Sequence, residues 1–422
     1  MKPALAALLT GALLASATAH AEKIRIEFWT MSLKPKFDDY FQKLEKDYER
    51  ANPNVDIVWV DHPWDKILPR LHGAIAAAQP PALANLNVEW AYDLAQRRSI
   101  IPVDKLMGAD RSVYMPGALA DVTWDGRTWA YPWYNGVSVL AVNADLFRRA
   151  GLDPAKPIRT LDEQLAAAKQ IAERTGVAGL APELGLPMRI FMAEGLPLVQ
   201  NNRAVFNSPA HVALLEKYVL AYKSKALIQD RAALFGEDNF QTAIAAYNAG
   251  KLAMLETAPT GLTRVRDDAK AIYAKTRVLP APQGPTGVVK GGWLFDFVVP
   301  KGVDPKILPE VGKFAKYLTN DANQLAFSKA TGGTYPSVTK AAFDPYFQQL
   351  PANAGAVEQA RAIGARNLAN VRTLTLLGVD DTEPLNRKLR EEVESAVTGR
   401  KSAKAALDAA AAFWNDKLSN RR

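Results

Sequence analysis

The sequence predicts an α/β protein of two lobes, each a mostly parallel sheet flanked by helices. Three observations lead there. The chain opens as strand, helix, strand; the same alternation restarts after Pro132; and 48% of 422 residues are hydrophobic, enough to fill two cores of ordinary size.

The first strand is residues 23–28, where apolar and charged side chains alternate with the period of two that marks a half-buried strand. A helix follows, because Phe37, Tyr40, Phe41, Leu44 and Tyr48 form one apolar stripe. Asn52-Pro53-Asn54 ends it and residues 55–60 form a second, buried strand. Strand, crossover helix and strand make a βαβ unit, which requires a parallel pair. Ile67, Leu71 and Ile75 mark the next helix, and a short strand is expected over 83–88. Beyond Pro132, residues 137–142 read as a strand and 145–150 as a short helix stopped by Gly151. Thr160-Leu161-Asp162-Glu163 is a capping box that opens a helix running to Gly176. Phe240, Ile244 and Tyr247 share a helix face, residues 252–255 return as a strand, and 293–299 form another closed by Pro300. From Pro384 onward the chain is helical, with Leu385, Leu389 and Val393, then Leu407, Ala411, Trp414 and Leu418, on packing faces.

Residues 1–21 read as a secretory signal: Lys2, an apolar run from Ala4 to Ala15, and a small-x-small site ending at Ala21. Cleavage after Ala21 and a periplasmic destination are expected. Cysteine is absent, which excludes disulfides, thiolate metal sites, a cysteine nucleophile and a lipid-acceptor tether at the cleavage site. The formal charge of +8 is spread among acidic residues without a block of one sign, so no nucleic-acid partner is expected. His62, His72 and His211 lack metal-ligand spacing, and neither a GxSxG elbow nor a phosphate-cradling loop is present. No catalytic residue, metal or cofactor is expected.

Several segments resemble the sugar-type extracellular solute-binding proteins of ABC importers, the maltose-binding-protein-like family. They are Ile26-Glu27-Phe28-Trp29, residues 48–60, residues 143–154 running on into Thr160-Leu161-Asp162-Glu163, residues 247–254, Gly291-Gly292-Trp293, and the run from Leu385 to Trp414 with its Thr398-Gly399-Arg400-Lys401 break. One would be weak; the ordered set covers nearly the whole chain. The resemblance implies a periplasmic binding protein fold with a multi-strand hinge, crossed near 136–142, 279–282 and 335–337. The first lobe is then 22–138 with 281–335, and the second 139–280 with 336–422. One departure is Ala82-Leu83 after Pro81, where the family often has an acidic residue. The resemblance also implies a small-molecule ligand, a sugar, delivered by a monomer to membrane permease subunits after hinge closure.

Ligands of open α/β sheets bind beyond the carboxyl ends of strands. There the sequence carries Trp29, Trp64, Glu89-Trp90, Trp133-Tyr134, Trp293 beside Gly292, and Tyr335. Aromatic rings stack on the apolar face of a sugar, while carboxylates and amides take its hydroxyls. Asp61, Asp65, Asn87 and Glu89 suit that second role in the first lobe, and Glu256 in the second. Trp59 and Trp414 read instead as core, and Trp124 and Trp129 as a hairpin around Asp125-Gly126. Asp61 and Asp65 fit helix capping equally well, and Trp64 and Trp90 fit core or cleft. Trp133 and Trp293 are assigned to the cleft, so Trp133→Ala is expected to lose affinity with little change in fold. An alternative ligand is an anionic polyol such as glycerol phosphate or a phosphodiester. It would be held by Arg189 and Arg372, with Arg264, Arg266 and Lys290 nearby, although each also reads as a solvated charge. An exported glycan-cleaving enzyme is the third reading.

Overall fold

A computed structural model describes residues 23–236, 239–289, 292–374, 379 and 382–419. The export signal and Lys290 lie outside the described residues. Among the described residues no helix is long and apolar enough to cross a membrane.

Two sheets organise the molecule. The first takes the order 335–336, 130–135, 295–300, 83–87, 24–31, 55–62, with residues 100–101 also paired to 295–300. The second takes the order 276–280, 139–143, 252–257, 178–180. Apolar clusters fill both faces of each. In the first, Phe28, Phe41, Trp59, Trp133, Phe297 and Phe314 share one buried cluster. In the second, Leu140, Phe147, Ile171, Met254 and Trp414 share another.

The two-lobed α/β architecture is as expected, but the sheets are mixed rather than mostly parallel. Ile24–Met31 runs parallel to Val55–His62 and to Leu83–Asn87, because each is reached through a crossover helix. Phe295–Pro300 enters from the other lobe instead, and pairs antiparallel with both of its long neighbours. Val139–Asn143 likewise enters from the first sheet and lies antiparallel to Leu252–Thr257 and Thr276–Pro280. Leu252–Thr257 and Ala178–Leu180 pair in parallel there. A strand delivered across the hinge needs no crossover helix, so nothing constrains it to run parallel.

The connections differ from expectation in a second way. Asn135 and Val139, and likewise Pro280 and Phe295, end successive strands in different sheets, whereas residues 335–337 stay with the first sheet. Tyr335–Pro336 is an edge strand of the first sheet, and Val338, Ala341, Ala342 and Phe347 are buried in first-lobe clusters. The chain reaches the second lobe only with the helix Ala356–Asn367, whose Ala356, Val357 and Ala360 join a second-lobe cluster. It then returns, since Leu368 and Val371 are buried in the first lobe, and leaves again to Val379 in the second. The Tyr335 hydroxyl donates to the carbonyls of Ala360 (3.2 Å) and Arg361 (3.1 Å), tying edge strand to helix.

Local signals hold where they are strong. Thr160 Oγ1 accepts from the Glu163 amide (3.2 Å), while Glu163 reaches back to the Arg159 amide (2.7 Å) rather than to Thr160. Asp125 and Gly126 both take positive φ (50° and 73°) between two-residue strands, which an Asp-Gly turn accommodates at low strain. Gly332 ends the helix Asp321–Thr331 at φ 69°.

Candidate functional site

Strand ends of the second lobe surround a cavity of about 170 Å³. The strand Leu252–Thr257 supplies Leu255, Glu256 and Thr257, and the turn after Ala178–Leu180 supplies Pro182 and Glu183. Tyr218 projects from the helix Pro209–Lys223 and Phe240 from Asn239–Asn248. Gly292, Trp293 and Leu374 also line the cavity.

The polar groups are held from behind. Fully buried Gln164 donates from Nε2 to Glu256 Oε1 (3.0 Å), so the carboxylate is aimed before any ligand arrives. Burial pushes the Tyr218 hydroxyl well above its usual range, and the charges of Glu256 and Glu194 add to that. Tyr218 is therefore a neutral donor-acceptor at any physiological pH. Two glycines make the wall possible. A Cβ on Gly261 would lie 2.1 Å from Thr257 Oγ1 and 2.9 Å from the Phe240 ring, and one on Gly292 would lie 2.7 Å from the Arg372 carbonyl.

A second cavity of about 360 Å³ lies alongside, between the lobes. The first lobe gives it Glu89 and Trp90, and the second gives Met188, Arg189 and Asn386. Arg189 and Leu374 line both cavities. Across the gap Arg189 Nη2 donates to Glu89 Oε1 (3.0 Å). On the first-lobe side Trp64 contacts Trp90 (centroids 5.2 Å apart) and Phe295 (5.8 Å), and Tyr134 stacks on Phe295 (4.7 Å).

The structure brings together part of the predicted set. Glu256, Gly292 and Trp293 line the inner cavity, Glu89 and Trp90 the outer, and Arg189 both. Trp293 is 51% exposed because the strand begins at Phe295, two residues later than its apolar pattern suggests. Trp64 is 45% exposed and joins the ring wall with Tyr134.

Others do structural work. Trp133 is a correction: it is fully buried, stacked on Phe327 (4.5 Å) and packed on Phe297 (4.7 Å). The register of its strand turns it into the helix-covered face, beside Phe41. Tyr335 is fully buried as well, with its hydroxyl spent on the helix carbonyls already described. Trp29 is buried, donates to Glu27 (2.8 Å) and meets His62 edge-on (4.3 Å). Asp61 accepts from the Thr30 hydroxyl (2.7 Å) and from the amides of Leu33 (3.0 Å) and Lys34 (3.1 Å), so both carboxylate oxygens fix the loop after the first strand. Asp65 pairs with Lys66 (2.8 Å) on the surface. Asn87 caps the helix Val88–Gln96 by accepting from the Trp90 amide (2.8 Å). Arg372 is also a correction: its Nε donates to buried Asp121 (2.6 Å), whose other oxygen takes the Thr373 amide (2.9 Å). That pair pins the 371–373 segment to the first lobe. Arg264 and Arg266 are exposed on the helix Pro259–Asp268.

Sequence reasoning missed Glu183, Tyr218 and Phe240. Glu183 follows the short strand Ala178–Leu180, which the sequence reading did not mark. Tyr218 and Phe240 sit on helices whose apolar periodicity reads as core, and carried no separate signal.

Residues 43–355 match the bacterial extracellular solute-binding protein family. The chain belongs to that family. It is a solute-binding protein of the kind that serves ABC importers. It is 26% identical to the sn-glycerol-3-phosphate-binding periplasmic protein of Salmonella typhimurium over 93% of this chain and 92% of the relative. Among solved structures it is similar to a protein of Synechococcus sp. MITs9220 proposed to bind oligosaccharides in the periplasm. That match has a TM-score of 0.81 at 26% identity, covering 94% of this chain and 99% of the other. The cyclic alpha-maltosyl-1,6-maltose binding protein of Arthrobacter globiformis shares the fold, with a TM-score of 0.76 at 19% identity over 94% and 100% of the two chains.

Proposed function

We propose that this solute-binding protein captures a neutral carbohydrate between its lobes in the periplasm and delivers it unchanged to membrane permease subunits. The observation that carries the reading is the charge of the inner wall. Glu183 and Glu256 line it, and Arg189, which pairs with Glu89, is the one cation among the described lining residues. A phosphate placed there would face carboxylates, whereas sugar hydroxyls donate to them. Trp293, Phe240 and Tyr218 offer the ring surface that a pyranose face covers. Export with cleavage after Ala21, a monomeric carrier and the absence of a catalytic step belong to the same proposal.

A second reading, an anionic polyol such as glycerol phosphate, draws on the name of the Salmonella relative and on the presence of Arg189 in both cavities. Calorimetric titration with maltooligosaccharides and with sn-glycerol 3-phosphate, followed by product analysis, separates the two. Saturable binding of a neutral sugar without turnover is expected. Binding of glycerol phosphate alone would reverse the assignment, and released product would make the protein an enzyme.

A further inference from the structure

The two cavities share two lining residues, Arg189 and Leu374. Arg189 lies in the wall of each, and its guanidinium is held from the opposite lobe by Glu89 at 3.0 Å. Both partners are placed by short-range structure. Glu89 stands in the first turn of the helix Val88–Gln96, which Asn87 caps, and Arg189 stands on the helix Pro187–Ala193. A molecule confined to the inner 170 Å³ leaves the pair intact, whereas one that continues into the outer 360 Å³ must pass Arg189 and Leu374, the residues common to both walls.

We infer that Glu89 and Arg189 form a gate between the lobes, which closes the inner cavity on a short ligand and parts for one long enough to reach the outer cavity. The inference rests on the carbohydrate reading for the nature of the ligand, though not for the gate itself. Parting the pair frees the guanidinium donors for ligand hydroxyls, so a long ligand exchanges one ion pair for several hydrogen bonds. The side chains are 28% and 45% exposed, so the pair is screened and its effect is modest. Glu89 thereby sets a preference for ligand length.

The test compares the full chain with Glu89→Gln, titrated with maltose and with maltotetraose at low and high salt. The ratio of maltotetraose to maltose affinity is expected to rise roughly two- to fivefold in Glu89→Gln, the size expected for a partly exposed pair. In the unaltered protein that ratio is expected to rise with salt, and in Glu89→Gln to stay flat. An unchanged ratio, insensitive to salt in both proteins, would overturn the gate. If neither sugar binds, the carbohydrate reading fails and the gate is judged on the ligand-free protein. The chain has no cysteine, so dyes can be placed uniquely by Phe343→Cys on the first lobe and Leu220→Cys on the second, both well exposed. Energy transfer between them is expected to show a smaller closed population with Glu89→Gln and with salt, the two effects not adding. Identical distributions in all conditions would overturn it.

Discussion

The two walls of the cleft are built from different chemistry. The first lobe presents Trp90 to the outer cavity, with Trp64, Phe295 and Tyr134 packed on from it in continuous contact, and besides Glu89 two of its acids are committed inward: Asp61 to a loop, Asp121 to Arg372. The second lobe presents a cup with Glu183 and Glu256 at its strand ends and Tyr218 on a helix, steadied by a buried glutamine. One wall offers area and the other offers hydrogen bonds. A sugar needs both, and an open two-lobed protein brings them together only on closure, which makes closure the ligand-dependent step.

Substitutions on the two sides are expected to fail differently. The largest effect belongs to Trp133→Ala, which empties a fully buried site among Phe41, Phe297 and Phe327. A loss of about 3–5 kcal/mol of stability is expected, read as a lower denaturant midpoint. The affinity of the folded fraction should stay near that of the unaltered chain; a specific affinity loss without destabilisation would return Trp133 to the cleft.

Glu256→Gln should act the opposite way. Removing the charge of the acceptor costs roughly 1.5–3 kcal/mol of binding, about 10- to 150-fold in affinity, with little change in thermal midpoint because the amide oxygen still accepts from Gln164. Calorimetry on the variant checks this, and sugar affinity that survives intact would take Glu256 out of the site.

Asp296 sharpens the contrast between lobes, as an acid of the first lobe with no ligand role. It is fully buried in the strand Phe295–Pro300, and neither carboxylate oxygen has a hydrogen-bond partner among the described residues. Burial holds its pKa well above the usual carboxylate range. The native state thus keeps the proton to higher pH than the unfolded chain does. The stability it allows is intact below the unfolded value of about 3.9 and declines as pH rises toward the folded one, by up to about 1.4 kcal/mol per pH unit. Asp296→Asn should flatten that slope and be the more stable form at neutral pH. A pH profile of stability that is the same for both would show Asp296 to be hydrated or paired.

The smallest effect is expected for Trp64→Ala. It removes an exposed ring that touches Trp90 and Phe295, worth about 0.5–1.5 kcal/mol. A three- to tenfold affinity loss, measured by titration, would agree with a stacking wall. No loss would confine recognition to the second lobe.

The order of elements was legible because period and punctuation agreed with packing: the Phe37–Tyr48 stripe, the Thr160 cap and the Gly176 stop all formed as read. Strand direction was not legible, since it depends on which lobe delivers the strand. The site was half legible. Strand-end reasoning reached Trp293, Glu256 and Glu89, but an aromatic at a strand end is a cleft residue only if its register turns it outward. A bulge opposite Phe295 and Asp296 shifts the register at Trp133, and no local pattern reports it. Helix onset misled as well: Leu83–Asn87 gives way at once to the helix Val88–Gln96, which converts Asn87 from a candidate ligand into a cap.

The central claim is that a neutral sugar lies between a ring wall and a carboxylate cup. A crystal structure of the protein soaked with maltotetraose tests it most directly. Sugar rings are expected against Trp293, hydroxyls within hydrogen-bond reach of Glu256, and further rings on the Trp64–Trp90 side. Density for a phosphorylated ligand on Arg189, with the Glu256 carboxylate turned away, would contradict it.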